Sequence, residues 1–190
     1  MSEKKDAFSS SAISFEIFPP KTDEEFPKAY AVLDRLSALR PSFISVTSGA
    51  GGSRSGKTLE LVDYIQNTCA CDALAHITSV GFKKSQLDDI IVKLKEIGCH
   101  KVLALRGDRP QSMSDEVYDG RDFLYAVDMV RYLKEHTDFT IAGACYPEKH
   151  FEARTMTEDL KRLKEKVDAG VAFLITQMFF DNEIFSRFAE

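Results

Sequence analysis

The stretch Ser14-Phe15-Glu16-Ile17-Phe18-Pro19-Pro20 is an apolar strand that contains one carboxylate and ends at two prolines. Proline has no backbone N–H to donate, so it cannot extend a ladder of paired strands. Burying an ionised, unpaired glutamate beside Phe15, Ile17 and Phe18 would cost several kcal/mol. Glu16 therefore either points to solvent from an edge strand or serves a functional site.

The composition indicates a single folded domain that binds small molecules. The chain has 190 residues, 44% of them hydrophobic, which is enough for one core. Lys and Arg total 25 against 30 Asp and Glu, and no dense basic run occurs, which argues against nucleic acid as a partner. Residues 1–12 are polar and predict a flexible leader, because they contain no apolar segment of the kind that secretory signals and membrane spans need.

The cysteines favour a cytoplasmic protein with no membrane anchor and no metal. Cys69, Cys71, Cys99 and Cys145 follow neither a disulfide-framework spacing nor a Cys-x-x-Cys spacing. Cys69 and Cys71 with His76 could suggest a metal site, but their spacing differs from that of a zinc knuckle.

Strand and helix patterns alternate along residues 13–190. After the first strand, apolar runs predict strands at 43–47, 73–79, 101–105, 139–145 and 172–177. Helical periodicity predicts helices at 23–39, 58–68, 85–97, 122–135, 157–169 and 181–190. This alternation predicts an α/β protein with a parallel sheet, either an open doubly wound sheet or a barrel.

Side-chain parity favours the barrel, because alternate residues of a strand face opposite sides of the sheet. With Phe15 and Ile17 packed on helices, Glu16 faces inward, and five strands end in inward polar groups. That convergence is typical of a (β/α)8 TIM barrel active site. A full barrel needs about 250 residues, so we expect about six of the eight units here, with the C-terminal part missing.

One loop offers a competing interpretation. Gly51-Gly52-Ser53-Arg54-Ser55-Gly56-Lys57-Thr58 matches the phosphate-binding pattern G-x-x-x-x-G-K-[ST] and lies between a predicted strand and helix. A nucleotide triphosphatase also needs an aspartate that closes an apolar strand and holds magnesium. Asp108 is the one candidate, and it follows Arg106-Gly107 instead of the strand itself.

Two further segments carry polar chemistry at strand exits. In Leu105-Arg106-Gly107-Asp108, the guanidinium can bind a phosphate bidentately, the glycine lets the backbone approach a ligand, and the carboxylate can accept a ligand N–H. An ordinary turn with a surface ion pair is the alternative. In Tyr146-Pro147-Glu148-Lys149-His150, the tyrosine could face a flat ring and the histidine a phosphate.

Taken together, these segments resemble the methylenetetrahydrofolate reductase family. The match runs in order from about residue 13 to the end of the chain. It rests on Phe15-Glu16-Ile17-Phe18-Pro19-Pro20, Val46-Thr47-Ser48-Gly49-Ala50, Ala75-His76-Ile77-Thr78, Leu105-Arg106-Gly107-Asp108, Tyr146-Pro147-Glu148-Lys149-His150, Lys166-Val167-Asp168-Ala169-Gly170 and Ile175-Thr176-Gln177-Met178-Phe179-Phe180-Asp181.

The resemblance implies an FAD-dependent enzyme that reduces methylenetetrahydrofolate to methyltetrahydrofolate by a ping-pong mechanism, with NADH or NADPH as the hydride donor. It implies that Glu16 is the general acid that opens the bridging ring of the folate, a role that suits a carboxyl with a raised pKa. Asp108 would tune the flavin and bind the pterin, and Gln177 would bind the folate.

The resemblance also implies a set of flavin contacts and explains residues 51–58 as a flavin-side loop. The implied contacts are Thr47, Ser48, Ala50, His76, Arg106, Gly107, Asp108, Tyr125, Ala126, Tyr146, His150, Ala153, Asp159 and Lys166. Arg106 and Lys166 would neutralise the pyrophosphate, and Thr47 would also contact NADH. We expect a homo-oligomer, with a non-catalytic flavin-binding fragment as an alternative.

Overall fold

The structure is a computed structural model that describes residues 12–48, 55–80, 82–109 and 111–190. Its strands are β1 (Ser14–Ile17), β2 (Phe43–Val46), β3 (Ala73–Thr78), β4 (Lys101–Leu105), β5 (Thr140–Cys145) and β6 (Phe173–Thr176). Its α-helices are α1 (Phe26–Ser37), α2 (Ser55–Asp63), α3 (Lys84–Ile97), α4 (Asp115–Asp119), α5 (Ala126–His136), α6 (Met156–Asp168) and α7 (Asn182–Ala189).

All six strands form one parallel sheet in the order β1-β2-β3-β4-β5-β6. A doubly wound sheet would reverse direction at a switch point and place strands on both sides of the first one. The sequential order is instead that of a (β/α) barrel. The predicted barrel class is therefore confirmed, as a partial barrel of six strands.

The two faces of the sheet differ as parity predicted. The helix-facing side packs against the helices in one large core, to which the strands contribute Ile44, Val46, Ala75, Ile77, Val102, Ala104 and Ile141. Fully burying an aliphatic side chain of this kind stabilises a protein by roughly 1.5–3 kcal/mol. The opposite, concave face has a smaller cluster around Leu74, Leu103 and Ala142. Phe15 and Ile17 pack on the helix-facing core, so Glu16 belongs to the concave face.

Several element boundaries differ from the predicted ones for local reasons. The predicted helix 122–135 begins at Ala126, because the Asp128 carboxylate accepts hydrogen bonds from the backbone N–H groups of Leu124 and Tyr125. Helix α2 begins at Ser55 and continues into a π-helical turn, Tyr64–Thr68. Helix α4 was missed, because its five residues are too few to show helical periodicity.

The first predicted helix divides into two parts. A 3₁₀ turn, Asp23–Glu25, precedes α1, and Pro27 lies in the first turn of α1, where a missing N–H costs nothing. In the described part of the chain, no helix is both long enough and apolar enough to cross a membrane.

Candidate active site

A cavity of about 330 Å³ opens at the carboxyl ends of β4 and β5, beside α5 and α6. The carboxyl ends of barrel strands are where active sites of this fold lie. The wall combines side chains from both strand exits and from both helices. It includes eight of the predicted flavin contacts, which are Arg106, Tyr125, Ala126, Tyr146, His150, Ala153, Asp159 and Lys166.

Arg106 is held in the cavity wall by a bidentate ion pair. Its two terminal nitrogens donate to the Glu152 carboxylate at 2.6 and 2.9 Å. The pair raises the pKa of Arg106 and lowers the pKa of Glu152. The backbone is fixed as well, because the Arg106 carbonyl accepts a hydrogen bond from the N–H of Val80 at 2.8 Å. The guanidinium is therefore oriented before any ligand arrives.

A second cation, Lys166, enters the cavity from α6. Its ammonium donates to the Ala144 carbonyl at 2.7 Å, and burial lowers the pKa of Lys166. Its stem crosses Gly143, where an added Cβ would meet the Lys166 Cδ at 3.1 Å. The glycine thus makes room for the lysine.

The turn after β5 builds the aromatic part of the wall. The Tyr146 and His150 rings meet edge to face with centroids 4.7 Å apart. The backbone N–H of His150 donates to the Asp159 carboxylate at 2.8 Å, which ties the turn to α6. Burial is the main cause that raises the pKa of Tyr146. Tyr146, His150 and Asp159 thus contact one another and also line the cavity.

Gly107 lets the backbone approach β3 closely. Its φ is +79°, and an added Cβ would lie 2.9 Å from the Thr78 Cβ. Both the left-handed backbone and the close approach require glycine.

A second group of predicted residues lies on the concave face and does not line the cavity. The Nε2 atom of His76 lies 3.5 Å from the Oε2 atom of Glu16, whose side chain is 50% exposed. Burial lowers the pKa of His76 to about 4. Ser48 instead lines a small cavity beside α2 and α3, and its hydroxyl is buried with no hydrogen-bond partner among the described residues.

The remaining predicted residues lie at other strand exits. The Asp108 and Gln177 side chains are exposed, after β4 and β6, and the Gln177 N–H donates to the Cys145 carbonyl at 2.7 Å. Thr47 follows β2, and its carbonyl accepts the Thr58 hydroxyl at 3.1 Å. Ala50 lies outside the described residues. The structure thus gathers the predicted residues in a cavity and along a row of strand exits.

The phosphate-loop residues that the structure describes are engaged elsewhere. The Lys57 ammonium lies 2.8 Å from the Asp23 carboxylate and donates to the Lys21 carbonyl at 3.0 Å. These contacts tie α2 to the turn before α1, and they favour a structural role for Lys57 over phosphate binding. Residues 51–54 of that motif lie outside the described part of the chain.

The chain was compared with known proteins, and the model of the methylenetetrahydrofolate reductase family matches residues 2–190. The chain belongs to this family. It is 40% identical over 178 residues to 5,10-methylenetetrahydrofolate reductase of Pectobacterium carotovorum subsp. carotovorum, a match that covers 94% of the chain and 58% of the relative. It is 38% identical to the probable methylenetetrahydrofolate reductase (NADH) of Oryza sativa subsp. japonica, a match that covers 92% of this chain and 31% of the relative.

Solved structures agree with the fold. A Clostridium thermocellum protein described as binding two copies of 5-methyl-5,6,7,8-tetrahydrofolic acid has a TM-score of 0.64 at 15% identity, with 95% of this chain and 58% of that one covered. A 2,3-dimethylmalate lyase has a TM-score of 0.63 at 10% identity, and the match covers 94% of this chain and 62% of the lyase. At these identities the likeness shows the fold alone.

Two residues of this methylenetetrahydrofolate reductase family member were not predicted from the sequence. Glu152 holds Arg106, and Gly143 makes room for Lys166. The one available signal for Glu152 was its position two residues after His150. That signal does not identify an arginine 46 residues away as the partner.

Proposed function

We propose that the chain carries the flavin-binding part of an FAD-dependent reductase that converts methylenetetrahydrofolate to methyltetrahydrofolate by a ping-pong mechanism, with NADH or NADPH as the donor. The observation that carries the proposal is the cavity beside α5 and α6, where eight residues implied by the family resemblance meet. NADH is the donor named for the Oryza sativa and Zea mays relatives.

The residues present fit the cofactor. Arg106 and Lys166 bring two cationic groups to one cavity, where a pyrophosphate would share the guanidinium with Glu152. Tyr146 and Tyr125 offer aromatic surface in the cavity wall. When bound, FAD supplies the chemistry of accepting a hydride from the nicotinamide and delivering it to the folate.

The folate half of the reaction is assigned to the concave face. Glu16 would donate a proton to a nitrogen of the bridging ring, which opens the ring to the iminium that accepts hydride. Asp108 and Gln177, exposed after β4 and β6, would hydrogen-bond the folate. Asp108 would also tune the flavin.

Flavin binding is the first test of this proposal. Titrating the purified chain with FAD should give a saturable change in flavin fluorescence, and Lys166→Met should weaken it by about tenfold or more, because one charge-assisted contact is lost. Lys164→Met removes an exposed lysine of the same helix and serves as the matched control. A chain that takes up no FAD would contradict the proposal.

The assignment of Glu16 predicts that the two half-reactions separate. Glu16→Gln should leave flavin reduction by NADH nearly intact and lower the rate of folate reduction by about 100-fold or more, because general acid catalysis is lost. Rapid-mixing absorbance at the flavin band measures both steps. Equal losses in both would contradict the role. Flavin binding without folate reduction by the unaltered chain would instead indicate a non-catalytic fragment.

A further inference from the structure

The His76 imidazole presents a buried nitrogen with no hydrogen-bond partner on the concave face. The His76 side chain is 6% exposed, and its Nε2 atom lacks a hydrogen bond within the described residues. An unsatisfied buried polar atom costs about 1–3 kcal/mol, so a partner that completes it has an energetic advantage.

Glu16 is the polar group placed to complete it. Its Oε2 atom lies 3.5 Å from Nε2, although β2 separates the two strands. Ser45 pairs with Glu16 and lies between them, and its short side chain points its hydroxyl at the Phe15 carbonyl, 3.4 Å away. The half-exposed glutamate can therefore shorten the distance by a small rotation of its side chain.

The charges around His76 leave the pair isolated. On β2 the uncharged Ser45 pairs with the nearby Leu74, and on β4 the apolar Leu103 pairs with His76 itself. The small cavity behind it, toward α2 and α3, is lined by hydroxyl and apolar side chains. Within the described residues, Glu16 is the one carboxylate at ion-pair distance from His76. Because the pKa of His76 is about 4, the imidazole is neutral at neutral pH.

We propose that His76 is a positioning residue whose neutral imidazole hydrogen-bonds the Glu16 carboxyl in both of its protonation states. The inference rests on the proposed function, in which Glu16 donates a proton and regains it in each cycle. A neutral imidazole has one N–H and one bare nitrogen, and the two tautomers exchange them. With the proton on Nε2, the ring donates to the carboxylate. When Glu16 is protonated, the same Nε2–H donates to its carbonyl oxygen, which leaves the carboxyl O–H free for the folate nitrogen.

The number of protons on Glu16 and His76 is the same at the start and at the end of one catalytic cycle. The Glu16 O–H bond breaks as an N–H bond forms on the folate, which leaves a carboxylate that still accepts the hydrogen bond from the His76 Nε2–H. Protonation of Glu16 from water restores the acid, and the tautomer of His76 stays the same throughout. A contact between His76 and the flavin is compatible with this role, because the ring has a second edge.

Nitrogen-15 NMR of histidine-labelled, flavin-free chain tests the inference without any turnover. At pH 7, well above the His76 pKa of about 4, the Nε2 signal should be that of a protonated nitrogen and the Nδ1 signal that of a bare one. In Glu16→Leu, which removes the acceptor, the preference for this tautomer should be lost. A bare Nε2 in the unaltered chain, or the same tautomer in Glu16→Leu, would overturn the proposal.

The kinetic test uses two replacements of His76. Glutamine carries an amide that can donate or accept near the Nε2 position, and leucine carries none. Folate reduction should fall by about tenfold or more in His76→Leu and should be largely restored in His76→Gln, compared at equal flavin occupancy. Equal losses in both variants would contradict the positioning role. The NMR measurement needs neither flavin nor folate. It therefore tests the hydrogen bond between His76 and Glu16 even if the proposed reductase activity is absent.

Discussion

At the scale of single residues, two glycines allow the cost of backbone strain to be measured separately from the cost of a steric contact. Gly107 and Gly98 share a φ of +79°, which L side chains rarely adopt. An added Cβ at Gly98 meets no atom within 4 Å, whereas at Gly107 it lies 2.9 Å from the Thr78 Cβ. The first position therefore tests the conformation alone, and the second tests the conformation together with the contact to β3.

We expect Gly98→Ala to lower the free energy of unfolding by about 1–2 kcal/mol through strain. Gly107→Ala should lower it by a further 1–3 kcal/mol or so, because the methyl group is forced against Thr78. Urea denaturation of both variants measures the difference. Equal losses would mean that the exit of β4 relaxes away from Thr78 at little cost.

His76 predicts a pH dependence of stability. Its folded pKa, about 4, lies below the unfolded value of about 6.5, so the unfolded chain binds more protons between these values. Stability is therefore full above pH 6.5 and is lost as the pH falls toward 4. We expect a loss of about 2 kcal/mol between pH 7 and pH 5, and His76→Gln should remove that part of the loss. Parallel curves for the two proteins would contradict the buried, neutral imidazole.

The sequence predicted those site residues whose side chains are polar and whose positions follow a strand. Arg106 and Tyr146 directly follow apolar strands, with His150 four residues after Tyr146, and parallel strands bring such exits to one edge of the sheet. Glu152 was not predictable, because its partner is fixed by the path of the turn after β5. Side-chain parity predicted that Glu16 and His76 lie on one face of the sheet. Their separation of 3.5 Å was not predictable, because it depends on how closely β1 and β3 approach each other across β2.

At the scale of elements, helix α6 links the sheet to the cavity. It contributes Asp159 and Lys166 to the wall, and its two polar links reach back to the β5 carbonyl of Ala144 and to the turn at His150. The sequence predicted this helix to within one residue at each end, because its apolar positions recur at helical spacing. Short α4 has no such signal.

The N-terminus of α6 is capped by Thr155, whose hydroxyl accepts from the Glu158 N–H at 3.2 Å. Thr155→Ala should therefore lower the free energy of unfolding by about 1 kcal/mol. Thr157→Ala, also exposed but inside the first turn, should change it little, because alanine favours helix and no cap is lost. Thermal melts of the two variants measure the contrast. A loss in Thr157→Ala as large as that in Thr155→Ala would show that the cap is not responsible.

At the scale of the whole molecule, the partial barrel exposes apolar groups beyond the carboxyl ends of its outer strands. The side chains that follow the outer strands β1 and β6 are among the most exposed apolar ones, with Phe18 at 74% and Phe180 at 89%. Their positions follow from strand order, which the sequence predicted, whereas their exposure depends on what packs on the outer strands. The chain spans 58% of the length of its Pectobacterium relative, which has further chain outside the matched region.

A hydrophobic fluorescent dye should therefore bind the 190-residue chain at the carboxyl ends of its strands, where these apolar side chains are exposed. We expect the double change Phe18→Ser and Phe180→Ser to lower the dye signal clearly, with little change in the melting temperature, since both side chains are already exposed. Leu39→Ser, at a site 64% exposed in the loop before β2, removes apolar surface at the opposite end of the sheet and should leave the signal unchanged. A signal that falls equally in both variants would show that the dye reports scattered apolar side chains and not the carboxyl ends of the strands.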